Sequence, residues 1–150
     1  KTLMKNMKYI IYSTCIASLF LLIACTTPEK VTPPPPYHVH SHLEIEILGE
    51  KQIIPQNVGL SPNHHKPIHT HEEEGRLHVE SPVAKTFYLK EFFTTWNQRF
   101  DKEGIFNYGI DDKYELIVYV NGKQDTRFGD IVLEDNQHIK IIYQKVKEKT

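Results

Sequence analysis

Eight of the nine histidines of this chain lie between His38 and His78. Imidazole is a good ligand for Zn²⁺, Cu²⁺ and Ni²⁺. The spacing matters as much as the number. His38, His40 and His42 alternate with other residues, and so do His69 and His71. On a strand, residues two apart point to the same face about 6–7 Å from one another, near enough for both to reach one ion. His78 and Glu80 share that spacing. The candidate ligands are therefore His40, His42, His69, His71 and His78, with Glu80 as a fourth group or as an acceptor that orients a ligating ring. Three histidines plus a carboxylate or water is a common tetrahedral zinc set.

The other histidines read differently. His38 is the end of a Pro-rich stretch, His64-His65 lies in a Pro/Asn loop, and His138 starts a late strand. These four are expected to be solvated or structural. Two metal-free alternatives stand beside the ion site. The cluster could be a hydrogen-bonded His/Glu network. It could also be a pH sensor, in which neighbouring imidazoles lower one another's pKa and repel when protonated near about pH 5–6.

The histidines must be positioned by strands. From His38 to Leu48 the apolar residues Val39, Leu43, Ile45 and Ile47 fall on one parity, and the histidines and glutamates on the other. Period two predicts a strand with one buried face. Gly49-Glu50-Lys51 is a turn, and Gln52 to Pro55 a short returning strand. Ile68–His71 and Arg76–Glu80 flank Glu72-Glu73-Glu74-Gly75, which predicts a second hairpin. Its register sets His69 opposite His78 and His71 opposite Arg76.

Beyond Ser81-Pro82, Thr86 is a helix cap, and Leu89, Phe92, Phe93 and Trp96 form an i, i+3, i+4, i+7 apolar stripe ending near Asn97. Gln98 to Lys113 is a long connection with a short strand at Ile105-Phe106. Tyr114–Val120 is a strand followed by an Asn121-Gly122 turn. Ile131-Val132-Leu133 is a short extended piece, and His138–Tyr143 the last strand. The charged tail is 144–150.

At the N-terminus, basic residues up to Lys8 precede an apolar run from Tyr9 to Ile23, with Met4 and Met7 as candidate initiators. That is the pattern of a signal peptide, 1–24. It closes on Leu22-Ile23-Ala24-Cys25, which resembles the lipobox of bacterial lipoproteins. The resemblance implies cleavage before Cys25, lipidation of Cys25 and a membrane-anchored, extracytoplasmic protein. In a two-membrane bacterium, Thr26 after that cysteine implies the outer membrane. Residues 25–37, with Pro33 to Pro36, then form a semi-rigid tether. Cleavage would leave no Met and no free Cys, which argues against a soft Cu(I) site and for a divalent ion, zinc or copper(II).

The order of elements in 38–143 is similar to the β-grasp arrangement, a mixed sheet wrapping one helix. The likeness rests on the helix Thr86–Trp96, on Tyr119-Val120-Asn121-Gly122-Lys123, and on Leu133-Glu134-Asp135 leading to Ile139-Lys140-Ile141-Ile142. It implies an α+β, β-grasp-like domain with an extra His-rich hairpin. The His-Thr-His…His-Val-Glu pattern also resembles an uncharacterised group of small exported proteins, which implies no activity.

Charge and missing motifs narrow the function. After Cys25 there are 15 Lys and Arg against 19 Asp and Glu, so nothing marks a nucleic-acid surface. There is no His-Glu-x-x-His, no Gly-x-Ser-x-Gly, no phosphate loop and no dinucleotide fingerprint. Glu80 or Glu73 could act as a base, but binding is read ahead of catalysis. The expected function is a lipid-anchored divalent-metal binder for storage, delivery or sensing. The alternative is a surface interaction module, with an exposed strand edge for an unknown protein partner and purely structural histidines.

Overall fold

Alternating polarity from His38 onward gives β1 (Tyr37–Ile47), whose Ser41, Leu43, Ile45 and Ile47 are buried while the intervening side chains are only partly covered. The computed structural model describes residues 37–147 other than Glu73. The signal segment 1–24, Cys25, the tether up to Pro36 and the tail residues 148–150 lie outside the described residues.

The remaining strands are β2 (Glu50–Lys51), β3 (Leu60–Ser61), β4 (His64–His65), β5 (Ile68–His69), β6 (Arg76–Ser81), β7 (Phe100–Asp101), β8 (Gly104–Ile105), β9 (Tyr108–Gly109), β10 (Tyr114–Val120), β11 (Lys123–Asp125) and β12 (Gln137–Lys145). The helix α1 is Leu89–Trp96. The chain is α+β. Seven strands form one mixed sheet in the order β11-β10-β12-β1-β6-β5, with β2 also on β1. At its centre β1 runs parallel to β12 and antiparallel to β6. Among the described residues, no helix is long and apolar enough to cross a membrane.

One sheet face is covered. Leu43, Ile45, Leu77, Val79, Val118, Ile139 and Ile141 bury against Leu89, Phe92 and Phe93 of the helix and against Phe87, Ile131 and Leu133. Burying a side chain of this size is worth about 1.5–3 kcal/mol. The opposite face of β1, β6 and β12 carries His38, His40, His42, His78, Glu80, His138 and Lys140. Lys140 bridges Glu44 and Glu46 there, at 2.9 and 3.0 Å.

Three sequence expectations shift. The first hairpin turns at Leu48-Gly49, both at positive φ, so its second strand is Glu50–Lys51 and not Gln52–Pro55. Thr86 does not cap the helix. Tyr88 precedes the first turn in extended backbone, and the Glu91 carboxylate accepts its N–H at 3.0 Å. The connection 98–113 is folded into a small sheet of β7, β8 and β9. Ile131–Leu133 follows a 3₁₀ turn (Phe128–Asp130) and meets Tyr88 by a single bridge at Val132. The Asn121-Gly122 turn is formed, with φ of 50° and 78°. Asn121 also accepts the His138 N–H on its side chain at 2.8 Å, which ties the turn to the start of β12.

Candidate metal centre

The sheet sets three histidines in one row. His40 of β1 opposes His78 of β6, and His78 opposes His69 of β5. Opposed residues on adjacent strands share a face. The His69–His78 register is the one that equal number sums across the hairpin predict.

His71 does not continue the ladder opposite Arg76. Thr70 intervenes, fully buried, with its hydroxyl donating to the Pro55 carbonyl at 2.7 Å and accepting from the Val58 N–H at 3.0 Å. Its own N–H and carbonyl bond to Val58 and Asn57. These bonds draw the chain off β6 after His69. His71 then folds its ring back over the sheet, edge-on to His78 at 4.5 Å between centroids. Arg76 instead opposes His42 of β1.

Two groups of three histidines result. His69, His71 and His78 offer ring nitrogens that lie within 4.8 Å of one another, and so do His38, His40 and His78. In the first group the Nε2 atoms of His69 and His71 are 3.2 Å apart. In the second the Nε2 atoms of His38 and His40 are 3.1 Å apart. Two nitrogens on one tetrahedral zinc ion are separated by about 3.3 Å, given bonds of about 2.0–2.1 Å. Either group can hold an ion geometrically.

The protonation of His69 follows from its partner. Its Nδ1 lies 3.0 Å from the Lys66 carbonyl, which can only accept, so Nδ1 carries the proton and Nε2 keeps its lone pair. A backbone carbonyl holding the far nitrogen is the usual way of orienting a ligating imidazole. His69 is 1% exposed, and burial pushes its pKa below the ordinary histidine value. His78 is pushed further, down to about 4, first by burial and then by His71, His40 and His69. Among the described residues, its buried Nε2 has no hydrogen-bond partner. Neutral rings with directed lone pairs are what a cation requires and what protons disfavour.

No protein-family model, no curated protein and no solved structure matches this chain.

Of the six residues chosen from spacing, His69, His71 and His78 come together, and His40 joins His78 on its other side. His42 does not join either group. It lies one row away, stacked on His138 at 5.0 Å and 17° and opposed by Arg76. Burial and then the His138 and Lys51 charges lower its pKa. The cationic Arg76 and Lys51 near His42 make that row repel cations. Glu80 opposes His38, and its Oε1 is 3.3 Å from His38 Nε2. His38 was expected to end the tether, yet β1 begins before it, which puts it in the second group. Its parity with His40 was the available signal. His64 and His65 are exposed on β4, with the His65 ring 5.8 Å from that of His69. Glu72, from the turn, reaches 3.8 Å from His78 Nε2.

Proposed function

We propose that this chain is a membrane-anchored extracytoplasmic lipoprotein whose domain binds a divalent transition metal for storage, delivery or sensing. The observation that carries the metal reading is the His69–His71–His78 group. One nitrogen of His69 is locked on the Lys66 carbonyl, its other nitrogen lies 3.2 Å from His71, and the buried His78 Nε2 has no hydrogen-bond partner among the described residues. An unsatisfied buried nitrogen costs about 1–3 kcal/mol, and an ion at that point would relieve it. Zinc and copper(II) both suit an all-imidazole set.

The anchor reading rests on Leu22-Ile23-Ala24-Cys25 behind an apolar run. The domain reading, β-grasp-like, is supported by the parallel β1–β12 pair at the centre of a mixed sheet that carries one helix on one face.

The test is metal content. Protein purified without a histidine tag should carry close to one zinc or copper(II) per chain after equilibration with the ion and desalting. Replacing His78, which belongs to both three-histidine groups, with Ala should remove it. Substoichiometric metal that the His78 replacement leaves unchanged would reject the reading.

A further inference from the structure

His78 belongs to both three-histidine groups. Its ring stands between them, edge-on to His71 at 4.5 Å and to His40 at 4.6 Å. A neutral imidazole has one lone pair, because its other nitrogen carries a proton. Both groups could be complete together only if His78 lost that proton and bridged two ions as an imidazolate. With His78 neutral, one ion occupies one group at a time.

The two groups are built differently. In the first, His69 is buried and its ring is fixed on the Lys66 carbonyl. In the second, the His38 and His40 side chains are each 38% exposed. Carboxylates stand beside them, with Glu80 3.3 Å from His38 and Asp135 3.8 Å from His40. One position is anchored on the buried His69 ring, with the Glu72 carboxylate 3.8 Å from His78 Nε2. The other faces solvent and has a carboxylate within reach to complete the coordination.

We propose that the histidine row is a two-position transfer track for a single divalent ion, an inference that rests on the metal reading above. His78 serves as a ligand in both positions while the ion exchanges His69 and His71 for His38 and His40, its single N–H proton lying on whichever ring nitrogen the ion does not occupy. The exchange swaps neutral ligands only, so charge and protons balance without a co-reactant. It moves the ion between a sheltered position and an accessible one without releasing it. That is what a protein needs if it accepts or hands over a metal at a surface.

The test is Zn²⁺ titration of the full, untagged chain in detergent micelles, read by calorimetry and by ¹⁵N spectra of the histidine rings. Wild type should bind one ion. With less than one equivalent, the His38 and His71 ring signals should both shift. His38→Ala and His71→Ala remove exposed side chains, so both variants should fold, as circular dichroism would verify. Each should still bind one ion, with affinity lowered about tenfold or less. The double replacement His38→Ala/His71→Ala should weaken binding more than about a hundredfold. Two ions per wild-type chain would overturn the track in favour of a bridged pair. So would ring shifts confined to one group, or loss of binding in one single variant alone. No binding by wild type would reject the underlying metal reading, and the track with it.

Discussion

His69 and His78 face each other across the β5–β6 ladder, with ring centroids 5.6 Å apart and planes inclined by 14°. The pair is held from one side only. His69 is buried and hydrogen-bonded to the Lys66 carbonyl, whereas His71, which completes the group, is exposed. The two therefore separate stability from binding. With a chelator present, His69→Ala should cost about 1–3 kcal/mol, from the lost hydrogen bond and the space left behind. His71→Ala should change stability by no more than about 0.5 kcal/mol. Urea unfolding of both variants checks this, and equal losses would contradict the asymmetry.

Metal should stabilise the fold. A ligand that binds only the folded state adds about 2.7 kcal/mol at a hundredfold excess over its Kd. For a domain near a hundred residues that is a rise in Tm on the order of 10 °C. The rise should vanish with EDTA and be absent from His78→Ala, whose ring belongs to both groups. An equal rise in that variant would place the ion elsewhere.

The register that aligns the histidines depends on Gly75. It sits at φ 80°, and its carbonyl accepts the Leu43 N–H at 2.8 Å, which docks the start of β6 against β1. A Cβ there would collide with the Leu43 carbonyl oxygen and crowd Ile54. Gly122 has nearly the same φ, 78°, but a Cβ there would meet open space. Gly122→Ala should therefore cost only the backbone strain, about 1 kcal/mol. Gly75→Ala should cost about 3 kcal/mol or more and lower metal affinity as well. Comparable losses at the two positions would refute this account.

What the sequence made legible was local. Parity placed Val39, Leu43, Ile45 and Ile47 inside and the β1 histidines outside, because a strand's period of two leaves no other choice. The turn at Gly75 fixed His69 opposite His78 for the same kind of reason. What could not be read was the pairing of distant strands. That β6 lies against β1, which sets His40 beside His78 and Arg76 beside His42, depends on how the two hairpins share one core. His42 and His40 look equivalent by spacing, and only that neighbour strand separates them. Thr70 also defeated the pattern. Its bonds to Pro55 and Val58 end the ladder early and free His71 to turn over the sheet. Side-chain bonds to a sequence-distant loop have no periodic signature.

The anchor has a separate test. Cys25→Ser should abolish incorporation of labelled fatty acid and shift the chain from the membrane pellet to the soluble or uncleaved fraction. Metal binding should be unaffected, because the histidines fold within 37–147. Continued labelling of the variant would reject lipidation at that residue.

Acid should destabilise the metal-free protein over a defined window. His78 is lowered to about 4, and His69 and His42 are lowered too, each chiefly by burial. In the unfolded chain an imidazole titrates near 6.5. Between these values the unfolded chain binds more protons, so the unfolding free energy falls as pH drops from about 6.5 toward 4 and is level above 6.5. Lowered carboxylates such as Glu44, held by Lys140, add a further loss at still lower pH. His78→Gln keeps the ring's approximate bulk but cannot titrate, so it isolates the histidine contribution. In chelator, its urea midpoint should decline less than that of wild type between pH 7 and about 4.5. A pH sensor would instead show a cooperative change in structure near about pH 5–6. Circular dichroism across the same range separates a gradual loss of stability from that switch, and identical pH slopes for wild type and His78→Gln would remove His78 from the account.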